Sequence, residues 1–209
     1  MKLKFMSTLI TCCVVFLLHA EINFQEQMNS ILTGFSSTNY LERMGSTNQI
    51  NALIAATTNG DELAECRLLK SAVLLECAET EHDASARVEA TNLLWSVEHE
   101  YANRQGDWRF FGARLVLMQS LALGEEYAKI YSIATNTIPI APTCGFERST
   151  NVWLSLFGPE IPDGISLRDA FRFNAADALL SIDKAADVSA LTNGLPSEMI
   201  VRLVGIHGD

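Results

Sequence analysis

Residues 61–103 read DELAECRLLKSAVLLECAETEHDASARVEATNLLWSVEHEYAN, and the spacing of their apolar side chains decides the fold. Apolar residues recur every three or four positions, which is the period of an α-helix with one buried face. The pattern breaks once, near Glu81–Asp83, and therefore predicts two helices, 61–80 and 83–103. Helices joined by so short a turn pack as antiparallel neighbours. The predicted buried positions are Cys66, Leu68, Leu69, Ala72, Val73, Leu75 and Cys77 on the first helix, and Ala86, Ala90, Leu94, Val97 and Tyr101 on the second.

The same period predicts further helices on both sides of this hairpin, and strand-like alternation is nearly absent. Residues 107–123 and 125–136 form a second predicted hairpin. Ser46 with Gln49 and Ser166 with Asp169 have the spacing of helix-capping pairs. The sequence therefore predicts an all-α protein of about seven to nine helices, arranged as an irregular bundle or an array of α-hairpins, with the 61–80 helix at its centre. The other predicted helices start or stop near Phe24, Gly34, Asn59-Gly60, Gly124, Asn193-Gly194 and Pro196-Ser197.

Helical spacing is lost between residues 137 and 165, where prolines and glycines accumulate. This composition predicts one long Pro/Gly-rich loop, with a short helical piece at 149–157 that carries Trp153 and Phe157 inward. Irregular connections of this length are uncommon in compact domains and are often functional.

The first 20 residues have the organisation of an export signal. Lys2 and Lys4 precede an uncharged, mostly apolar run, 5–18, which is too short to span a membrane and suits a signal-peptide core. Cleavage after Ala20 would leave residues 21–209 as a single helical domain, secreted or periplasmic, with no later segment able to cross a membrane. Two alternatives are a buried N-terminal helix and a lipoprotein modified at Cys12.

The net charge limits which partners the protein can bind, and the cysteine positions limit which disulfides it can form. The chain has a net formal charge of −10, and loss of Lys2 and Lys4 with the leader makes it −12. Such a protein lacks the positive surface of a nucleic-acid binder and is disfavoured on anionic lipid. Cys66 and Cys77 lie about 16 Å apart along one predicted helix, too far for a disulfide. We therefore expect at most one internal bridge, between Cys144 and either Cys66 or Cys77, with three buried thiols as the alternative.

No catalytic motif is present in the sequence, and no cofactor or metal is predicted. Glu79-x-x-His82 has a spacing that can bind a metal ion from one helix, but the second copy required for a di-iron site is missing. The simpler interpretation is a solvated acidic turn in which Asp83 caps the helix that follows.

Arginine and aromatic residues are concentrated between positions 104 and 114 of this acidic chain. Arg104, Trp108, Arg109 and Arg114 are of the types enriched at interface hot spots, and they form the predicted binding surface. In the alternative interpretation, the arginines pair with acidic neighbours while Trp108 starts a core helix. We therefore expect an exported module that binds another protein or a cell-surface component. The alternative function is an extracytoplasmic hydrolase whose catalytic carboxylates the sequence does not identify.

Overall fold

The computed structural model describes residues 24, 26–31, 40–143, 165–182 and 188–207, with the side chains of 40–44 left out. These residues are almost entirely helical and form no β-strand, which confirms the predicted all-α class. The chain divides into two compact units, residues 1–63 and 64–209. The prediction of one domain over 21–209 stays a prediction.

The first unit contains helical residues 24 and 26–31 and helix α1, Tyr40–Ala56. Phe24, Met28 and Ile31 are buried at the predicted spacing of three and four. Their continuation to Leu32 and Gly34 lies outside the described residues.

The predicted helix start at Ser46 is wrong. Helix α1 begins six residues earlier, so that Gly45 and Ser46 lie inside it, and Ser46 is buried rather than capping an end. A glycine inside a helix costs about 1 kcal/mol relative to alanine, and packing of the helix can outweigh that cost. Helix α1 ends at Ala56, before the predicted stop at Asn59-Gly60. Asn59 instead caps the start of the next helix, Gly60–Glu81, because its side-chain Oδ1 accepts the Asp61 backbone N–H at 3.0 Å.

The second unit is a bundle in which helices that follow one another in the chain pack together. Its helices, of which α2 begins within the first unit, are α2 Gly60–Glu81, α3 Ala84–Tyr101, α4 Trp108–Ala122, α5 Tyr127–Thr137, α6 Leu167–Ser181, α7 Ser189–Thr192 and α8 Ser197–His207. Helix α3 packs against α4, α4 against α5, α5 against α6, and α6 against α7 and α8.

Polar contacts define the direction of packing between α2 and α3. Lys70 pairs with Glu89 at 2.7 Å, and Arg67, earlier on α2, pairs with Glu100, later on α3, at 3.1 Å. Rising residue numbers on one helix thus meet falling numbers on the next, as the predicted antiparallel hairpin requires. The five predicted buried positions of α3 are all buried.

Helix α4, not α2, is the most buried helix of the second unit among the described residues. Ten of its fifteen residues are buried, against eight of twenty-two on α2. These buried residues are distributed around the helix circumference, as is typical of a helix inside a core. Phe111 of α4 approaches Phe171 of α6, with 6.3 Å between ring centroids, and so extends this core to the second half of the bundle.

Helix α6 begins as the sequence predicts. The Ser166 Oγ accepts the Asp169 backbone N–H at 3.1 Å and donates to the Asp169 carboxylate at 2.7 Å. Gly194, at a φ of +81°, turns the chain between α7 and α8. Of the predicted 137–165 loop, residues 138–143 form a turn after α5, while 144–164, including the predicted 149–157 helix, lie outside the described residues. One small core joins α6 and α8, and partly buried Leu191 of α7 packs against it. Its buried residues are Ile165, Phe173, Ala176, Leu195, Met199 and Leu203.

Candidate binding surfaces

The turn between α3 and α4 brings Arg104, Trp108 and Arg109 together. Asp107 caps α4 by accepting the Arg109 backbone N–H at 3.0 Å, and this capping places the Arg109 side chain beside the same carboxylate. The Arg109 Nη1 donates to the Asp107 Oδ1 at 3.2 Å, and its Nε donates to the Glu65 Oε1 at 3.1 Å. The Arg109 side chain is only 15% exposed, so its guanidinium links α2 to α4 inside the fold.

Aromatic rings accompany both guanidinium groups at this turn. Arg104 lies 4.6 Å above the Tyr101 ring, and Arg109 lies 5.1 Å from the Trp108 ring. Each distance is within the range of a cation–π contact. Arg104 also pairs with Asp107 at 3.0 Å, but 52% of its side chain remains exposed. Of the predicted arginines, Arg104 therefore presents the most surface to a partner.

Arg114 lies apart from this cluster. It is five residues beyond Arg109, which places it about 140° further around the α4 axis. Its Nη2 donates to the Glu98 Oε1 at 2.6 Å and its Nη1 donates to the Thr137 hydroxyl at 2.7 Å. The guanidinium also covers the Phe110 ring at 4.3 Å. One side chain thus joins α3, α4 and α5, and the predicted four-residue surface is divided between two sides of the helix.

The alternative interpretation of the arginines describes Arg109 and Arg114 well, because both bind acidic neighbours within the fold. It also accounts for three little-exposed carboxylates. Glu65, Asp107 and Glu98, with side-chain exposures of 7%, 12% and 14%, each bind an arginine. These contacts stabilise helix packing and provide no observation in favour of a hydrolase.

The acidic turn between α2 and α3 has the predicted local structure. Glu79, Glu81, His82 and Asp83 are exposed. Asp83 caps α3, and its pKa is lowered by a hydrogen bond from the Ser85 hydroxyl and by the backbone N–H groups of Ala86 and Ser85. In the part of the chain that the structure describes, no group of three or more His, Cys, Asp or Glu side chains has an arrangement that could hold a metal ion.

The predicted disulfide involves a residue that the structure does not describe. Cys66 is buried and Cys77 is half-buried on α2, whereas Cys144 lies outside the described residues. The pairing of Cys144 with Cys66 or Cys77 stays a prediction.

The C-terminal helix presents an apolar surface that the sequence interpretation missed. Met199 and Leu203 of α8 are buried, but Ile200, Val201 and Val204 are 39%, 70% and 63% exposed. The signal was present in the sequence, because apolar residues at 199–201 and 203–204 occupy more of the helix circumference than one buried face needs. We call Ile200, Val201 and Val204 the α8 apolar face.

Two further apolar side chains are exposed on α3. Val88 and Trp95, two turns apart on one side of the helix, are 52% and 42% exposed. Both lie off the predicted stripe that begins at Ala86, so that the sequence pattern correctly left them out of the core.

These features define an all-α helical protein with an apolar C-terminal helix face and arginine–carboxylate pairs between its helices. No protein-family model, curated protein or solved structure matches the chain significantly. Among the described helices, none combines the length and the apolar character needed to cross a membrane.

Proposed function

We propose that this protein is an exported helical binding module that associates with another protein through the α8 apolar face. The observation that carries the proposal is the exposure of Ile200, Val201 and Val204 on one short helix. Single exposed apolar residues are ordinary, whereas contiguous apolar patches mark sites of protein contact. Arg104 and Trp108 form a second, more polar candidate surface at the turn between α3 and α4.

The free energy that binding at this face can provide depends on the size of its aliphatic side chains. Full burial of a valine or isoleucine side chain contributes about 1.5–3 kcal/mol, so that covering this face offers several kcal/mol to an association. A helix face with anchors at positions i, i+1 and i+4 is suited to a partner helix or an apolar groove. The acidic character of the chain keeps non-specific contacts with acidic macromolecules weak.

Export is the second part of the proposal and follows from residues 1–20 of the sequence. We expect the protein recovered outside the cytoplasm to begin at Glu21. N-terminal sequencing of that material tests this expectation, and a mature protein that begins at Met1 would contradict it.

Site-specific photo-crosslinking tests the binding proposal. A benzoylphenylalanine at position 204 should form protein adducts in cells that express the full chain, because this face contacts the partner. The same group at position 88 is the matched control, since Val88 is a comparably exposed valine on α3, at 52% against 63% for Val204. Adducts at 204 that disappear with Val201→Glu support the proposal. No protein adduct at 204, or equal adducts at both positions, contradicts it.

A further inference from the structure

The exposed side of α8 carries no charge over a wide arc. At 100° per residue, positions 197, 200, 201, 204 and 205 fall within about 140° of the helix circumference. They are Ser197, Ile200, Val201, Val204 and Gly205, and all five are exposed. Serine and glycine at the two ends leave room for a second helix to approach closely. The buried residues Met199 and Leu203 hold the opposite side of α8 in the core shared with α6.

Charges of opposite sign border one edge of this arc. Glu198 and Arg202 are both exposed and lie four residues apart, one turn from each other along the helix. In an antiparallel pair of identical helices related by a two-fold axis, the same edges face each other. A two-fold axis near Ile200 would therefore place Glu198 of each copy opposite Arg202 of the other copy. The charged edge of α8 is therefore complementary to the same edge of a second copy.

Two copies of the chain meet at this face with less charge repulsion than at other parts of their surface. The chain has a net formal charge of −10, so most contacts between two copies would bring like charges together. The α8 arc avoids this repulsion because it is uncharged, and its border provides two attractive pairs by symmetry. A parallel arrangement would not pair Glu198 with Arg202 in this reciprocal way.

We infer that α8 pairs antiparallel with α8 of a second copy of this chain, with Ile200 and Val201 at the centre of the interface and Val204 one turn away from it. The inference rests on the proposed function, since it names the partner of the same face. Helix α8 has eleven residues and is about 16 Å long, so the contact area is small. Interfaces of this size are weak, and we expect a Kd on the order of 10–100 μM.

Analytical ultracentrifugation of the purified protein tests the inference directly. The protein should change from monomer to dimer as its concentration rises through the expected Kd. Val201→Glu should weaken dimerisation about tenfold or more, because it places a charge in the apolar contact of both copies. Val88→Glu is the matched control and should leave the dimer unchanged. A protein that is monomeric up to about 1 mM, or a dimer that Val201→Glu leaves intact, overturns the inference.

A charge exchange tests the antiparallel arrangement. Glu198→Arg and Arg202→Glu should each weaken the dimer about fivefold, because each places like charges across the two-fold axis twice. The double variant should restore the wild-type Kd. Single variants without effect, or a double variant weaker than both, overturn the arrangement. Circular dichroism of each variant checks that α8 stays helical.

The two proposals can fail separately. Adducts from position 204 to a different protein, with a monomeric purified chain, would retain the binding module and overturn self-association. A monomeric chain without any adduct from position 204 would overturn both.

Discussion

Glu125, in the turn between α4 and α5, lies in the left-handed region of backbone conformation, with a φ of 55°. Its N–H bonds the Ala122 carbonyl and the next N–H bonds the Leu121 carbonyl, both at 2.9 Å, which is the hydrogen-bond pattern of a Schellman ending. Glycine usually occupies this position because it has no Cβ. Here glycine comes one residue earlier, where a Cβ on Gly124 would lie 2.0 Å from the Arg87 Nη1. The Arg87 guanidinium would have to move to admit a side chain at position 124.

Replacement of Glu125 by glycine should stabilise the protein. We expect Glu125→Gly to raise the free energy of unfolding by about 0.5–1 kcal/mol, because the left-handed penalty for a residue with a Cβ is removed. Urea denaturation measures the change. Glu125→Ala is the control, since it removes the charge but keeps the Cβ; an equal gain in both variants would attribute the effect to charge.

Substitution of Arg114, unlike that of Glu125, should destabilise the protein, because it leaves other groups without their partners. Its guanidinium binds Glu98 and Thr137, and both charged side chains of the pair are less than 20% exposed. Taking away one member of a buried pair leaves the other charge poorly solvated.

Arg114→Met should therefore lower the free energy of unfolding by about 2–3 kcal/mol. Arg104→Met, at a side chain that is 52% exposed, should cost less than about 1 kcal/mol. Thermal or urea denaturation of both variants makes the comparison. The double variant Glu98→Leu with Arg114→Met should recover most of the loss, and a double variant less stable than Arg114→Met alone would contradict the account.

At the scale of the helices, side-chain caps decide where the chain enters each element. Asp83 caps α3, Asp107 caps α4 and Ser166 caps α6. Each supplies an acceptor for a backbone N–H that has no partner within its helix.

Ser166→Ala should destabilise the protein by about 1 kcal/mol, because the Asp169 N–H then loses its acceptor. Ser181→Ala is the matched control at the other end of α6. The Ser181 hydroxyl donates to the Asp177 carbonyl within the helix, and its loss should change stability by less than about 0.5 kcal/mol. Equal effects in chemical denaturation would show that Ser166 does not act as a cap.

The Asp83 cap should also depend on pH. Its carboxylate has a pKa below the ordinary value of 3.8 in the folded protein, chiefly through the Ser85 hydroxyl. A carboxylate whose pKa is lowered by folding stabilises the folded protein fully at pH values above its pKa in the unfolded chain. This contribution to stability is lost as the pH falls through its pKa in the folded protein. The stability advantage of wild type over Asp83→Ala should therefore shrink below pH 3.8. Asp83→Asn keeps an acceptor that does not titrate, so that its advantage over alanine should persist in urea denaturation at acid pH.

For the whole molecule, the buried side chains are concentrated in the second unit. This unit contains the Phe110–Phe111–Phe171 contacts and the core between α6, α7 and α8. In the first unit, the described buried apolar residues are Phe24, Met28, Ile31, Ile50 and Leu53.

A fragment of residues 59–209 should retain a helical circular dichroism spectrum and unfold cooperatively, since it keeps this core and the Asn59 cap of α2. Residues 21–58 should not fold alone, because chains below about 40 residues seldom bury enough apolar surface. Thermal denaturation of both fragments is the measurement. A non-cooperative 59–209 fragment would contradict the independence of the second unit.

The sequence by itself determined the helical class, the antiparallel pairing of α2 with α3, the Asp83 and Ser166 caps, and the buried stripe of α3. These features depend on side chains within one or two helical turns, and local spacing records them. The capping pattern at Ser46 predicted a wrong helix start, because the pair lies inside α1. A local sequence pattern does not show which packing contacts stabilise a helix that continues through it.

Only the tertiary structure decided which helix is most buried and which arginines are engaged. Arg109 binds Glu65, 44 residues away, and Arg114 binds Glu98, 16 residues away, so that no short pattern could assign these pairs. Which apolar residues of α8 stay exposed was likewise decided only by the packing of Met199 and Leu203 against α6. An apolar helix has no preferred side until its neighbours are present, because the hydrophobic effect has no direction of its own.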